Sequence, residues 1–437
     1  MLRPDHDHDP PVGIVGAGLA GLACAERLHE WGMPFVVFEA SDGVGGRARS
    51  DDFQGFILDR GFQIFLTSYE QAAEALDLQA LGLRPFYPGA LTRVRGRFKR
   101  IADPRRRPVD FARTLLSPPV GPADALRSLR LAKHARQHLE NIRRGEHTPP
   151  TREYLERAHL SKPAMQRFYR PFLGGVFLDA RLDTPRAFCD FVLDRFRAGD
   201  ATLPARGMRA LAEQLAAGLP AGSLRLRTPV AEIGPDFVRT AAGERLVCSA
   251  VVLATDAATA AAMRPEIESL EKITWNQTET VYYAAEQPPV REPILVLRGD
   301  DPGGPVNHMC VPSLVQPPYA PPGAHLISCT VVGMPPYEDD AALDKAVREQ
   351  MTRWFGGQVR AWKLLRVYRI PRALPRQFSL GGGLAVPRRT ADGVWLAGDY
   401  LENPSIEGAI ASGRRKADAV LKELGHKPSN EPRLPQR

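Results

Sequence analysis

"PVGIVGAGLAGLACAERLHEWGMPFVVFEASDGVGGRARS", residues 11–50, alternates between two apolar runs and two glycine-rich turns. The first apolar run, from Val12 to Val15, has the length and composition of a buried strand. Gly16, Gly18 and Gly21 follow it with the spacing GxGxxG, and a helical pattern comes next. A strand before this motif and a helix after it are the context that a dinucleotide-binding turn requires. The stretch therefore predicts a strand–turn–helix–strand unit that holds a dinucleotide.

Each glycine of this turn has its own predicted role. Gly16 permits the tight turn, Gly18 lets the backbone approach a pyrophosphate, and Gly21 lets the helix pack closely on the strand. The helix is predicted from Leu19 to about Trp31. Its first N–H groups and its dipole then face the phosphates.

The second apolar run ends at Glu39, an acid at the distance expected for a ribose hydroxyl acceptor. A carboxylate here disfavours a 2′-phosphate, which argues against NADP. Gly45, Gly46 and Arg47 follow and add backbone N–H groups and a guanidinium near the same pyrophosphate. Such extra cover suits FAD, which carries a flavin beyond its phosphates.

These residues resemble the opening fingerprint of the FAD-containing amine oxidase and phytoene desaturase superfamily, which includes protoporphyrinogen oxidase-like flavoproteins. Relatives often carry an arginine two residues after the acid, where this chain has Ser41, and the change removes at most one phosphate contact. "VWLAGDYLENPSIEGAIASGRRKADAVL", residues 394–421, resembles the closing motif of the same family. Residues 398–409 contain no cysteine or histidine, so the resemblance implies noncovalent FAD.

The resemblance also implies roles for individual residues. Asp399 would hydrogen bond the ribityl chain, and the backbone around Ile406 would face the flavin. Glu407 is explained equally well as an acid in the first turn of its helix. The predicted cofactor-binding residues are Gly16, Gly18, Leu19, Ala20, Gly21, Glu39, Ala40, Gly45, Gly46, Arg47, Gly61, Phe62, Gln63, Val230, Gly398, Asp399, Ser405, Ile406 and Glu407.

The predicted fold class is α/β, with a Rossmann-type FAD-binding domain built from separated segments. An α+β substrate domain, a mixed sheet plus helices, would be inserted between them. Residues 10–90, 205–270 and 386–425 are assigned to the FAD-binding domain. Residues 91–204 and 271–385 are assigned to the substrate domain, and residues 1–9 and 426–437 are expected to be flexible tails.

The substrate has to be inferred from the less patterned domain. In amine oxidases of this superfamily a lysine approaches the flavin N5, and the matching position in "WNQTETVYYAAEQPP" is Thr278. No lysine lies on this strand, which argues against the amine oxidase interpretation. "RFYRPFLGGVFLD", residues 167–179, resembles the desaturase and isomerase branch. Aromatic residues that could line a tunnel for a long polyene, although ordinary core is the better explanation of any single one, are Phe168, Tyr169, Phe172, Phe177 and Tyr282.

The sequence thus predicts an FAD-dependent oxidoreductase that desaturates, dehydrogenates or redox-isomerises an apolar, carotenoid-like small molecule by hydride transfer to flavin N5. No catalytic residue is assigned. An amine oxidase that releases hydrogen peroxide is the alternative. A flavin- or NAD-binding protein without turnover is a lesser one.

Composition narrows the partners. The net charge is +8 over 437 residues, and the cations are mostly scattered arginines, which does not favour nucleic-acid binding. The five cysteines form no metal or disulfide spacing, so no metal is expected and a reducing compartment is indicated. The first residues do not resemble a secretory signal. A cytoplasmic location is expected, and the oligomeric state is not predicted.

A possible membrane contact comes from the segment 93–144. Leu126, Leu129, Ala132, Leu139 and Ile142 form one apolar stripe beside an arginine-rich face. Such a helix either packs on the core or lies on an anionic membrane surface. Peripheral contact with the inner face of a membrane is therefore kept as an open alternative.

Overall fold

The computed structural model describes residues 10–116, 119–142, 148–301, 303–376 and 386–426. The tails predicted at residues 1–9 and 426–437 lie outside these residues, apart from His426. Side chains are not described for residues 113–116, 138 and 140–142, so Ile142 of the predicted stripe is not described either.

Strands and α-helices alternate irregularly along the chain. The strands are β1 (Val12–Val15), β2 (Phe35–Phe38), β3 (Ser50–Phe53), β4 (Phe56–Asp59), β5 (Phe65–Leu66), β6 (Arg84–Pro85), β7 (Gly89–Val94), β8 (Arg97–Ala102), β9 (Ala201–Leu203), β10 (Leu224–Arg225), β11 (Val230–Ile233), β12 (Phe237–Thr240), β13 (Arg245–Val247), β14 (Ala250–Leu253), β15 (Trp275–Ala285), β16 (Leu295–Leu297), β17 (Val306–Cys310), β18 (His325–Val332), β19 (Lys363–Pro375) and β20 (Trp395–Leu396). The α-helices are α1 (Leu19–Glu30), α2 (Glu70–Ala75), α3 (Pro108–Leu116), α4 (Pro122–Ile142), α5 (Thr151–Arg157), α6 (Lys162–Ala164), α7 (Arg170–Phe177), α8 (Arg186–Ala198), α9 (Arg209–Ala217), α10 (Ala257–Met263), α11 (Glu268–Glu271), α12 (Pro312–Val315), α13 (Asp340–Phe355) and α14 (Ile406–Glu423).

The first sheet has five parallel strands in the order β10-β2-β1-β14-β20. Its strands come from three distant parts of the chain, as predicted for an α/β domain assembled from separated segments. Val12 pairs with Phe35 on one side and with Ala250 on the other. Because both faces of a parallel sheet are covered, its strands are continuous apolar runs, and β1 and β14 are buried at every position.

Alternate side chains of this sheet belong to two separate cores. Ile14 and Val252 pack with α1, α9 and α14, whereas Val251 and Leu253 pack with β12 and α10. Glycines bring the helices close to their neighbours. A Cβ at Gly21 would lie 1.9 Å from the Gly16 carbonyl oxygen, and one at Gly413 would lie 2.0 Å from the Ala20 carbonyl oxygen.

The second sheet is mixed and has seven strands in the order β19-β15-β18-β17-β16-β7-β8. The pairing of β7 with β16 is parallel, and the other neighbours are antiparallel. Val281 and Tyr283 of β15 face α13, whose Val347 and Met351 are fully buried against them. Thr278, on the opposite face of β15, turns toward the space between the two sheets. The domain boundaries at residues 90 and 271 stay a prediction; β7 begins at Gly89.

The helices α4, α5, α7 and α8 form a third layer with its own core. Helix α4 packs on it through Leu131 and Ala135. The predicted apolar stripe is therefore not the face by which α4 packs on the core, because Leu126 is 51% exposed and Leu129 is 44% exposed. No helix within the described ranges is long and apolar enough to cross a membrane.

Candidate active site

A cavity of about 1370 Å³ lies between the two sheets and the helical layer. Its inner end is formed by the loops that follow β1, β2, β14 and β20, where Gly16, Ala40, Thr255 and Gly398 line the wall. These loops leave the carboxyl ends of parallel strands, where α/β sheets bind ligands. The volume exceeds the roughly 300–1,000 Å³ of a pocket for one ordinary ligand. The cavity can therefore hold a dinucleotide and a second molecule.

Gly18 and the first turn of α1 form the phosphate end of the cavity. Gly18 has an extended backbone, with φ −72° and ψ 176°, and a Cβ added there would meet no atom within 4 Å. Leu19 and Ala20 also line the cavity, and N–H groups in the first turn have no partner within their helix. Gly21 is absent from the wall among the described lining residues, and its contribution is the close packing of α1 on the turn.

Glu39 fastens this turn to the end of β2. Its carboxylate accepts hydrogen bonds from the Ala17 N–H at 2.8 Å, from the Ser41 N–H at 2.9 Å and from the Ser41 hydroxyl at 2.7 Å. Ser41 thus braces Glu39 through both its backbone and its side chain. Glu39 and Ala40 both line the cavity, where sequence reasoning places the ribose.

Gly45 and Gly46 form a second glycine turn beside the first. Both have a positive φ, +108° and +57°, and the Gly45 N–H donates to the Ala17 carbonyl at 2.8 Å. A positive φ favours glycine, which explains the pair. This bond holds the second turn against the phosphate end, and both glycines line the cavity.

Arg47 makes a bidentate ion pair with Asp399, with N···O distances of 2.6 and 2.9 Å. It also donates to the Ala373 carbonyl at 3.0 Å, and its guanidinium lies 5.7 Å from the centre of the Trp275 ring. Sequence reasoning directed this guanidinium to the pyrophosphate and Asp399 to the ribityl chain. In the structure the two side chains bind each other in the cavity wall and join β19 to the second glycine turn.

A second helix, α14, begins at the cavity, as α1 does. Ser405 caps it, since its hydroxyl accepts from the Gly408 N–H at 3.0 Å, and Ser405 and Ile406 line the wall. Sequence reasoning directed the backbone of Glu407 at the flavin, which stays a prediction, and Glu407 is not among the described lining residues. Its carboxylate accepts from the N–H groups of Gln71 and Ala72 at 2.9 and 3.0 Å, and burial raises its pKa. Glu407 therefore fastens α14 to the start of α2.

Gly61, Phe62 and Gln63 line the cavity where the two sheets meet. Gly61 has φ +86°, and the Gln63 side-chain amide donates to the Arg47 carbonyl at 3.0 Å. Val230, at the start of β11, lies in the wall near the first glycine turn. The structure thus brings all the predicted cofactor-binding residues except Gly21 and Glu407 to one cavity, and their contacts with a cofactor stay a prediction.

Phe168, Tyr169 and Phe172 line the outer half of the cavity and are called the aromatic wall below. Phe168 and Phe172 stack with ring centres 5.3 Å apart. Phe177 and Tyr282 were predicted to belong to this lining, and both predictions are wrong. Phe177 is 1% exposed in the core of the helical layer. Tyr282 is covered by the β4 segment, and its hydroxyl donates to the Asp59 carbonyl at 3.0 Å.

The polar residues of the wall that sequence reasoning missed include a facing pair on two neighbouring strands. His308 on β17 and Thr330 on β18 are paired across strands and both line the cavity, near Thr278 on β15. Burial lowers the pKa of His308 to about 4, so its ring is neutral. A single histidine in an apolar strand has no spacing that distinguishes it from core, and no sequence signal could have found it.

The outer opening of the cavity, called the mouth below, is basic. Arg105, Arg106, Lys133 and Arg136 contribute to it, beside the exposed Leu129. The first two arginines pair with Asp103 and Asp200 at 2.9 and 2.6 Å. Other acids of the wall within the described ranges, Glu39, Asp256 and Asp399, lie at the inner end. Among the described lining residues, the helical layer that carries the aromatic wall contributes no acid.

These features fit a dinucleotide with a long extension. Gly18 leaves open space where a pyrophosphate would lie, and two helices of 12 and 18 residues begin at the same cavity. Positive helix ends are suited to phosphate and to negative charge on a flavin. Within the described ranges, no group of three or more His, Cys, Asp or Glu side chains could hold a metal ion.

Comparisons with known proteins agree with this arrangement. The family model described as flavin containing amine oxidoreductase matches residues 19–421. A segment is 50% identical over 64 residues to lysine-specific histone demethylase 1B of Mus musculus, covering 14% of this chain and 8% of that protein. Another is 36% identical over 87 residues to phytoene desaturase (lycopene-forming) of Pantoea ananas, covering 18% and 17%. The chain thus spans less than a fifth of these curated relatives.

Among solved structures, wild-type putrescine oxidase bound to putrescine superposes with a TM-score of 0.73 at 17% identity, covering 95% of this chain and 99% of that one. Reduced UDP-galactopyranose mutase superposes with a TM-score of 0.69 at 16% identity, covering 96% of both chains. Likeness at this identity establishes the fold. Together with the family model over most of its length, it shows that the chain belongs to the flavin-containing amine oxidoreductase family and is an FAD-dependent oxidoreductase.

Proposed function

We propose that this oxidoreductase desaturates, dehydrogenates or redox-isomerises an apolar, carotenoid-like small molecule. The observation that carries the proposal is that the aromatic wall lies in the part of the lining contributed by the helical layer, where the described lining residues include no acidic side chain. An uncharged polyene can pass it without leaving a charge unpaired, whereas a protonated amine could not. The relative named phytoene desaturase supports the same substrate class.

Bound FAD supplies the two-electron acceptor, because its isoalloxazine ring takes a hydride at N5. The chain's own contribution is to position the substrate and exclude water. Phe62 and Phe172 line the cavity with apolar surface. The Thr278 hydroxyl, at the position of the amine oxidase lysine, already donates to the Val331 carbonyl at 2.8 Å. No general base is placed there, and loss of hydride from an allylic carbon does not demand one.

The predicted cofactor contacts are part of this proposal. The N–H groups of Leu19 and Ala20 hold the pyrophosphate, and Glu39 accepts from the ribose. The first turn of α14, at Ile406, stabilises negative charge on the flavin. The three sequence segments of the five-stranded sheet form the FAD-binding domain, and the seven-stranded sheet with the helical layer forms the substrate domain.

Anaerobic reduction of the flavin tests this proposal. The holoenzyme is mixed with phytoene in detergent micelles, with putrescine, or with dithionite, and the flavin absorbance is followed. We expect bleaching by the polyene and by dithionite and none by the amine. Bleaching by putrescine with peroxide release in air would instead establish the amine oxidase alternative. A flavin that dithionite reduces but that neither hydrocarbons nor amines reduce would contradict both enzyme proposals.

We propose further that the mouth rests on an anionic membrane surface, in which such substrates dissolve. Leu126 and Leu129 are exposed on α4, and Lys133 and Arg136 lie on the next turns. An apolar and basic surface of this kind binds anionic lipid. We expect co-sedimentation with phosphatidylglycerol vesicles at low salt, reduced by L129D but not by L226D, a change at another exposed leucine. Equal sedimentation of both variants and wild type would refute this contact.

A further inference from the structure

His308 is a polar residue in an otherwise apolar part of the cavity. It lies on β17, is 5% exposed, and its ring centre is 5.5 Å from that of Phe62. The space beside it is reserved by Gly175, because a Cβ there would lie 2.7 Å from the His308 Nδ1. A leucine or a methionine would fill such a site with less cost than a buried imidazole. A histidine at this position therefore needs a chemical explanation.

The neighbours of His308 determine which ring nitrogen carries the proton. The Asn307 side-chain nitrogen Nδ2 donates to the Pro171 carbonyl at 2.8 Å, and since a carbonyl only accepts, this bond fixes the orientation of the amide. The same Nδ2 lies 3.1 Å from the His308 Nδ1. Nδ1 is therefore the acceptor, and Nε2 carries the hydrogen of the neutral ring.

The Nε2–H group has no partner among the described residues, although it is buried. The hydroxyl oxygen of Thr330, the cross-strand neighbour of His308, is also buried without a partner. Buried polar groups are nearly always hydrogen bonded, so two unpartnered groups on adjacent strands of one cavity wall point to a bound molecule. Packing against Gly175 explains the position of the ring but not its free donor.

We propose that His308 and Thr330 bind an oxygen atom of the substrate, with Nε2–H as donor, so that the enzyme prefers an apolar chain that carries one hydroxyl or carbonyl group. This specificity rests on the proposed function, because it selects among apolar substrates of the same cavity. An uncharged imidazole suits a neutral oxygen, and the described lining residues of the helical layer include no carboxylate that would accept from Nε2–H instead.

Equilibrium dialysis of the oxidised holoenzyme tests the inference with two matched probes. One is the polyisoprenoid alcohol geranylgeraniol, and the other is the hydrocarbon in which a hydrogen replaces its hydroxyl. We expect wild type to bind the alcohol about threefold to tenfold more tightly, the range of one neutral hydrogen bond. H308L should abolish the preference without weakening the hydrocarbon, whereas H308Q, which keeps an N–H donor, should retain part of it.

The outcomes separate the two proposals. Equal binding of both probes by wild type, or an unchanged preference in H308L, overturns the role of His308 and leaves the apolar cavity intact. If neither probe binds, the proposed substrate class falls, and the inference falls with it. If H308L does not fold, T330V provides the second variant, and a preference unchanged in T330V overturns the shared oxygen site.

Discussion

Replacing Gly18 by valine separates cofactor binding from folding. The backbone of Gly18 is extended, a conformation that valine adopts readily, and a Cβ there meets no protein atom within 4 Å. The substitution therefore creates no clash in the protein itself. Its cost to the free energy of unfolding is the exchange of a tolerated N-cap glycine for a poor N-cap residue, about 1 kcal/mol.

The cost to FAD binding is much larger. The valine side chain would occupy the phosphate end of the cavity and keep the pyrophosphate away from the N–H groups of Leu19 and Ala20. Losing two charge-assisted hydrogen bonds, each worth roughly 1.5–3 kcal/mol, costs about 3–6 kcal/mol. The dissociation constant for FAD should then rise by roughly 10²–10⁴-fold.

Flavin fluorescence quenching on titration of apoprotein measures this constant, and thermal unfolding of the same apoprotein measures stability. G357V is the matched control, because Gly357 also has open space around it and lies outside the cavity. We expect G357V to bind FAD like wild type. A G18V protein that is folded and binds FAD within about threefold of wild type would refute the assignment of the phosphate site.

Three further predictions concern buried polar groups. Because the pKa of His308 is about 4 in the folded state and 6.5 in the unfolded state, the unfolded chain takes up the proton first as pH falls. Wild type should therefore lose about 3 kcal/mol of unfolding free energy relative to H308Q between about pH 7.5 and pH 3, most of it between pH 6.5 and pH 4. Denaturant titrations at both ends check this, and parallel curves would contradict it. E407Q should lower the free energy of unfolding by roughly 1–3 kcal/mol, because one carboxylate oxygen that accepts a backbone N–H of α2 is replaced by an NH₂ donor. Hydrogen exchange should become faster only in residues 70–75 and 406–409. Unchanged exchange there would count against this role of Glu407. D399N should lower the free energy of unfolding by roughly 1–3 kcal/mol, because Arg47 loses its carboxylate partner but keeps partial access to water. Equal stability of D399N and wild type in chemical denaturation would disprove this.

The phosphate end could be predicted because its signals are local. Gly16, Gly18 and Gly21 lie between an apolar strand and a helix, and their spacing determines three features within a few residues: the tight turn, the start of the helix with its dipole, and the open backbone at Gly18. Glu39 follows at the end of the next strand. Each element needs only its neighbours in the chain, and the structure places these residues together.

Contacts between distant segments could not be predicted. Arg47 and Asp399 are 352 residues apart, and each was assigned to the cofactor because nothing in the sequence shows that they face each other. Glu407 was correctly placed at a helix start, yet its carboxylate turns to α2, which is equally remote in sequence. The side chain's partner depends on the tertiary packing of two helices.

Periodicity gave the correct type of element but not always its buried face. On α4, Leu126 and Leu129 compete with Leu131 and Ala135 as the apolar side, and the position of α8 makes the second pair the packing face. On β15, Tyr282 shares a face with Thr278 but lies farther along the strand, where the β4 segment covers it. Whether a side chain reaches the cavity depends on which other segments pack beside it, and the residue pattern of a single strand does not show this.

The flavin content of the purified protein tests the central claim most directly. After mild denaturation by acid, the supernatant is analysed for flavin while the precipitated chain is checked for residual flavin absorbance. We predict FAD released in a one-to-one ratio to the chain, with none left bound, because residues 398–409 offer no cysteine or histidine for attachment. A folded protein that carries no FAD and takes up none when it is supplied in excess would contradict the account.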